Sequence, residues 1–192
     1  MKFEATISIW LSIGLIAGCG APEQASVAGE LFTTPYMSVK APESGEWRVQ
    51  SKSATEIAFA SGEVGNTLVA SVILFRFGPA ATPAEYEKLI RDGAAKDVDP
   101  KYPDRYELLE QSIKYTGERL YPCVRYQAVS KDKRAKGTSE PQFLEVDGLY
   151  CRHPMDPSVG AVMMYSHRGL TRDAALRAKA EAFIQSVTLP EK

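Results

Sequence analysis

Residues 67–77 (TLVASVILFRF) are apolar on both alternating faces. Leu68, Ala70, Val72 and Leu74 point one way; Val69, Ile73, Phe75 and Phe77 point the other. A strand of this kind cannot leave either face in water, so it belongs inside a sheet covered on both sides. The rest of the chain supplies the covers. Thr82-Pro83-Ala84-Glu85 offers an N-cap, a proline at the first helical position and a carboxylate three residues after the cap. It predicts a helix over residues 83–96 with Tyr86, Leu89, Ile90 and Ala94 inward. A closing helix over 173–187 carries Leu176, Ala180, Phe183, Ile184 and Val187 at helical spacing.

Shorter alternating runs predict further strands over 36–40, 47–51, 56–60, 120–130, 143–152 and 160–168. Residues 106–115 read as a strand or, over the first turn, as helix, and the proline-bearing stretch 97–104 reads as a loop. No internal repeat or second domain is visible. The expected body is one α+β domain over residues 32–192, an antiparallel sheet flanked by helices.

The N-terminus reads as an address. After Lys2, residues 5–18 are apolar; these roughly 14 residues fall short of the ~20 that a membrane-spanning helix needs and suit a secretory signal. Glu4 departs from the usual positive start. At the end of the run, Ile16-Ala17-Gly18-Cys19 resembles the lipobox of bacterial lipoproteins: a branched apolar residue, two small residues and a cysteine. The resemblance implies cleavage after residue 18 and acylation of Cys19, including a palmitate-type chain. Two or three acyl chains suffice for stable anchoring. Gly20, in place of an aspartate, favours the outer membrane facing the periplasm. Residues 19–31, small and polar, are expected to form a flexible tether, about 20 Å in reach for about a dozen residues.

Of three cysteines, a lipidated Cys19 leaves Cys123 and Cys151. In an oxidising compartment an even pair predicts a disulfide. The register agrees. Positions 123 and 151 are symmetric about Gly137, so a hairpin with its tip there sets the two sulfurs opposite each other. The same register pairs Val124 with Tyr150 and Ala128 with Val146 on one apolar face. Gln127 with Asp147 and Val129 with Glu145 share the other face, with Arg125 diagonal to Asp147. Closing a loop of about 29 residues would stabilise by about 3–4 kcal/mol in the chain-entropy picture.

A competing reading takes Cys151, His153 and His167, with Cys123, as ligands for zinc or copper. The spacing matches no zinc knuckle, and a disulfide would remove both thiolates. Met163-Met164 beside His167 adds little, because neighbouring strand residues face opposite ways. The hairpin tip, residues 131–136 (KDKRAK), could touch anionic headgroups or simply keep two strand ends in water. Trp47 could stack on a ligand or cap the core.

Catalytic patterns are missing from the sequence: no G-x-S-x-G, H-E-x-x-H, phosphate loop or dinucleotide fingerprint, and only two histidines. Asp97, Asp99 and Asp104 lack calcium-loop spacing. With 23 basic against 24 acidic residues and net charge −1, nothing steers the chain onto nucleic acid. The expectation is a non-catalytic binding or envelope-assembly module without a cofactor, attached to the membrane by its acyl chains and engaging an envelope protein. A metal-handling protein and an unrecognised hydrolase are the alternatives.

The Glu46-Trp47-Arg48-Val49 strand, the apolar strand 68–77 leading into a helix, the stretch 113–127 turning at Gly117, and the terminal Phe183-Ile184-Gln185-Ser186-Val187 together resemble the PsbP-like α/β/α sandwich. That superfamily includes extrinsic photosystem subunits and a Ran-binding import factor. The resemblance implies a fold used for binding or assembly and transfers no binding residue to this chain.

Overall fold

The computed structural model describes residues 26–96, 101–135 and 137–191. The predicted signal segment, Cys19 and most of the predicted tether lie outside the described residues, as do Asp97, Asp99 and Lys136.

Nine strands and two helices follow one another in the described chain: β1 (Leu31–Thr33), β2 (Ser38–Lys40), β3 (Arg48–Lys52), β4 (Glu56–Glu63), β5 (Asn66–Arg76), α1 (Pro83–Ala94), β6 (Tyr106–Thr116), β7 (Cys123–Asp132), β8 (Gln142–Arg152), β9 (Val159–Gly169) and α2 (Leu176–Gln185). Seven strands form one sheet in the order β3-β4-β5-β9-β8-β7-β6, and every pairing in it is antiparallel. β1 and β2 form a separate hairpin. The protein is therefore an α+β fold, an antiparallel sheet flanked by helices.

The doubly apolar strand explains the layering. From its front face, Ile73 and Phe75 pack into a cluster with Phe77, Tyr86, Ile90, Ile113, Val124, Tyr150 and Val162, closed by α1. From its back face, Ala70 and Val72 join Trp47, Phe59, Met163, Tyr165, Phe183 and Ile184 under α2 and the β1–β2 hairpin. Met163 and Met164 divide between the two clusters, as strand alternation requires. Gly160 has no room for a side chain, since a Cβ would run into the rings of Phe75 and Phe77.

α1 begins as its sequence predicts. Thr82 Oγ1 accepts from Glu85 N (3.3 Å), and Glu85 returns a bond from Thr82 N (3.0 Å). The helix stops at Ala94, short of residue 96. α2 is also shorter than 173–187. Asp173 accepts from Ala175 N (2.9 Å) and makes a turn ahead of the helix.

Two further differences concern a segment read as strand and one read as tether. The strand expected over 120–130 starts only at Cys123. Residues 117–122 form a loop in which Arg119 donates to the carbonyls of Ile184 and Val187, satisfying the end of α2, and Leu120 is 94% exposed. The tether expected over 19–31 is also too long. Val27 N bonds Trp47 O (2.9 Å), Val27 and Ala28 pack on the core, and β1 starts at Leu31. These apolar side chains gain more from burial than the chain keeps in freedom by staying loose.

Candidate functional site

On the back of the sheet α2 packs on β9 and β8, and the adjoining surface of β7 and β6 forms a groove. The groove has a volume of about 610 Å³; Glu110, Gln127, Glu145, Asp147, Arg172 and Asp173 give it its charge and polarity. Strand alternation supplies the floor: Val129 with Glu145 and Gln127 with Asp147 are register partners on β7 and β8. The β9–α2 turn brings in Arg172 and Asp173 from the side.

Glu145 is the hub. Its carboxylate receives His167 Nδ1 at 3.1 Å, Arg172 Nε at 3.2 Å and Asp173 N at 2.6 Å. His167 is its direct register partner on β9, and the other ring nitrogen lies 2.9 Å from Asn66 Oδ1. Arg172 continues outward as a fork onto Glu110 (2.7 and 3.2 Å). Burial pushes the Asp173 carboxyl up, but bonds from Lys179 and Ala175 N outweigh it and hold the group below the ordinary carboxylate range.

Asp147 differs. It is 2% exposed, and Gln127 Nε2 donates to its Oδ2 (2.8 Å). Arg125 Nε lies 2.9 Å from Oδ1 as an ion pair, but Oδ1 accepts no aligned hydrogen bond. Arg125 is shared, with Glu118 at 3.3 Å and Glu181 at 3.6 Å. Burial pushes the Asp147 carboxyl up against the opposing pull of Gln127 and Arg125.

The cysteines meet as their register predicts. Cys123 and Cys151 are opposite each other on β7 and β8 and joined by a disulfide. The four-ligand metal set is not assembled. Both sulfurs are in the bridge. His153 follows β8, where its N bonds Val159 O at the start of β9; His167 lies near the far end of that strand. Both ring nitrogens of His153 have partners, Tyr36 O (3.1 Å) and Met155 N (3.2 Å). Among the described residues no group of three His, Cys, Asp or Glu side chains is placed to hold a metal ion.

Two cations of the hairpin tip have acidic partners. Lys133 pairs with Glu107 (3.0 Å) and Arg134 with Asp104 (3.8 Å). Asp132 is fully buried and held by Arg105 through two 2.9 Å bonds. Trp47 is also fully buried. Its indole donates to Ser44 O (2.9 Å) and meets Tyr165 edge-on, so it caps the core.

The Glu145–His167–Asn66 chain escapes sequence reading because it joins three strands. The hairpin symmetry fixes only β7 against β8, and no equivalent marker aligns β9. A usable signal is an acid, Glu145, flanked by Leu144 and Val146 in β8, with His167 just after the apolar run of β9.

No known family profile matches the chain, and no curated protein matches it. Among solved structures it is similar to the Ran-binding protein Mog1p of Saccharomyces cerevisiae, with 9% identity and a TM-score of 0.43 over 81% of this chain and 91% of that one. A single-site mutant of protein Mog1 gives 10% identity and a TM-score of 0.45, over 83% of this chain and 95% of that one. The cyanobacterial PsbP (CyanoP) from Synechocystis sp. PCC 6803 gives 13% identity and a TM-score of 0.38, over 92% of this chain and all (100%) of that one. The neighbours thus include PsbP-like and Mog1 folds. The fold class itself is read from the strand order and the two helices.

Proposed function

We propose that the chain is a bacterial lipoprotein, acylated at Cys19, whose globular body is a non-catalytic binding module at the envelope, on the periplasmic side of the outer membrane. The observation that carries this reading is the Cys123–Cys151 bridge. A disulfide between the facing cysteines of a hairpin persists in an oxidising compartment, and the lipobox residues 16–19 direct a chain to one. Among the described residues no helix is long and apolar enough to cross a membrane. In this reading the acyl chains on Cys19 hold the body at the membrane.

A binding role is supported by how the groove's groups are used. Glu145, His167, Arg172 and Asp173 are bonded to one another, so the obvious acid–base groups have partners already. The second ring nitrogen of His167 is taken by Asn66 Oδ1 (2.9 Å), an amide where a catalytic base would face a hydroxyl or thiol. The protein is expected to engage an envelope component through this surface.

The test has two arms. Cys19→Ser should abolish palmitate labelling and leave the protein unprocessed or released; membrane retention with normal processing would overturn the anchor. Crosslinking in intact cells, followed by gentle extraction and pull-down of the acylated protein, should recover a defined envelope component. Recovery of none would overturn the binding role.

A further inference from the structure

The point where the chain from Cys19 joins the body decides which end of the sheet can face a membrane. Cys19 and Ser26 are seven residues apart, which spans at most about 25 Å. Ser26 Oγ accepts from Trp47 N (3.3 Å), and Val27 N donates to Trp47 O (2.9 Å). Trp47 precedes Arg48, the partner of Ala60, so it stands level with Ser61 and, across β5, with Leu68. From Leu68 the β4–β5 turn at Gly65 is about 10 Å away along the strand, whereas Leu74, in line with the Cys123–Cys151 bridge, is about 20 Å the other way. The bridge end would reach the membrane only with that connection drawn nearly to its limit.

The turn end carries the groups a lipid surface uses. The β4–β5 turn and the β7–β8 tip are joined there: Gln142 Nε2 donates to Gly65 O (2.9 Å), and a Cβ on Gly137 would run into Val64. Leu170 follows Gly169, the partner of both Asn66 and Phe143, and so falls between Gly65 and Gln142. Val64 and Leu170 are 56% and 54% exposed. Lys131, Lys133 and Arg134 are exposed on the tip, and the buried Asp132 among them fixes the turn from which they project. Large apolar side chains next to long cationic ones suit the boundary between headgroup phosphates and acyl chains. The acids of this end, Glu63, Glu140, Glu107 and Asp104, keep the attraction weak. A weak contact is enough here, because a body already linked to the surface binds it intramolecularly. The other surface beside Ser26 is less suited. Around Leu31, which is 70% exposed, it carries Glu30, Glu43 and Glu46 against Lys40.

We propose that this end of the sheet, with Val64, Leu170 and the cations of the tip, rests on the lipid surface that holds the Cys19 acyl chains. The inference rests on the lipoprotein reading and gives that protein an orientation. The β4–β5 turn faces the headgroup phosphates, and the disulfide end, with Leu120, points away from them.

The test places a thiol-reactive fluorophore on single introduced cysteines in the full acylated chain. The chain is reconstituted in vesicles of phosphatidylethanolamine and phosphatidylglycerol that contain a headgroup-nitroxide lipid as quencher. Acylated Cys19 and the bridged Cys123 and Cys151 do not react, so each introduced thiol is labelled alone. Val64→Cys and Leu170→Cys should be quenched several-fold more strongly than Leu31→Cys and Leu120→Cys, all four at exposed positions. Lys131→Gln, Lys133→Gln and Arg134→Gln combined should lower the quenching at residue 64 several-fold. Equal quenching at the four positions, stronger quenching at residue 31 or 120, or no response to the triple Gln variant overturns the proposal. The anchor is read separately: the unsubstituted chain should float with the vesicles and take up no label. A chain that stays in solution or labels at Cys19 defeats the lipoprotein reading and the orientation with it. A floating, unlabelled chain whose variants show the wrong quenching pattern defeats the orientation alone.

Discussion

Asp132 and Asp147 lie on the paired strands β7 and β8, both are buried, and both face arginine, yet their surroundings treat them differently. Asp132 accepts a two-point fork from Arg105, a backbone bond from Arg134 N at 3.0 Å, and stands 3.4 Å from Arg168 Nε. Asp147 has one aligned bond, from Gln127, and a share of an arginine that also serves two other carboxylates. The first arrangement saturates the carboxylate and locks the hairpin tip to the loop before β6. The second leaves a buried oxygen, Asp147 Oδ1, without an aligned donor. Burial and an arginine neighbour are common to both, so neither property tells how well an acid is satisfied; the number of aligned donors does.

The largest effect should come from removing the saturated acid. Asp132→Ala removes the buried counter-charge that Arg105 and Arg168, 17% and 12% exposed, both face. A loss of about 3–5 kcal/mol is expected in urea denaturation. Asp147→Asn, which keeps the shape and removes an under-served charge, should change stability by no more than about 1 kcal/mol. Equal losses in the two variants would erase the distinction between the aspartates.

Next in size is the bridge at the opposite end of the hairpin. Cys123→Ala combined with Cys151→Ala should cost about 3–4 kcal/mol by the same denaturation measurement. Cys123 and Asp132 bound β7, so they are about 30 Å apart at strand rise. Their losses should therefore add within about 0.5 kcal/mol in the combined variant. A clear shortfall from additivity would mean that the hairpin opens as a unit and that Asp132 does not lock its end independently.

Much of this arrangement could be read from the chain. The two apolar faces of residues 67–77 forecast the two cores, and Thr82 with Glu85 forecast the start of α1. The cysteine spacing set the register that pairs Gln127 with Asp147 and places Arg125 beside it, as found. Asp132 shares the face of Val124 and Tyr126, but among four cations of the tip it read as part of a solvated loop and its burial was missed. Its partners were out of reach, because Arg105 and Arg168 arrive from other strands and leave no local pattern. The groove was hidden for a related reason. Its floor is strand alternation, but its wall is the turn before α2, and where that helix lands is decided by packing between faces distant in sequence. The tether boundary failed on scale: Val27 and Ala28 are too few to show a period, yet enough to dock.

The smallest expected effect is the most discriminating, because it compares two acids of the groove by sign. Burial raises the Asp147 carboxyl above its ordinary 3.8, so the folded state holds that proton more tightly than the unfolded chain. Its contribution to stability is fully present below 3.8 and is lost as pH rises through the raised folded value. Asp173 runs the other way. Although burial pushes it up, Lys179 and Ala175 N hold it below 3.8, so its contribution is present above that value and lost as pH falls through the lowered folded one. Subtracting the stability of Asp147→Asn from wild type at each pH should give a curve that falls with rising pH. The same subtraction with Asp173→Asn should give one that rises. A flat Asp147 curve between about pH 3 and about pH 7 would mean that the carboxylate is as well served when ionised as when neutral. Asp147 would then belong with Asp132.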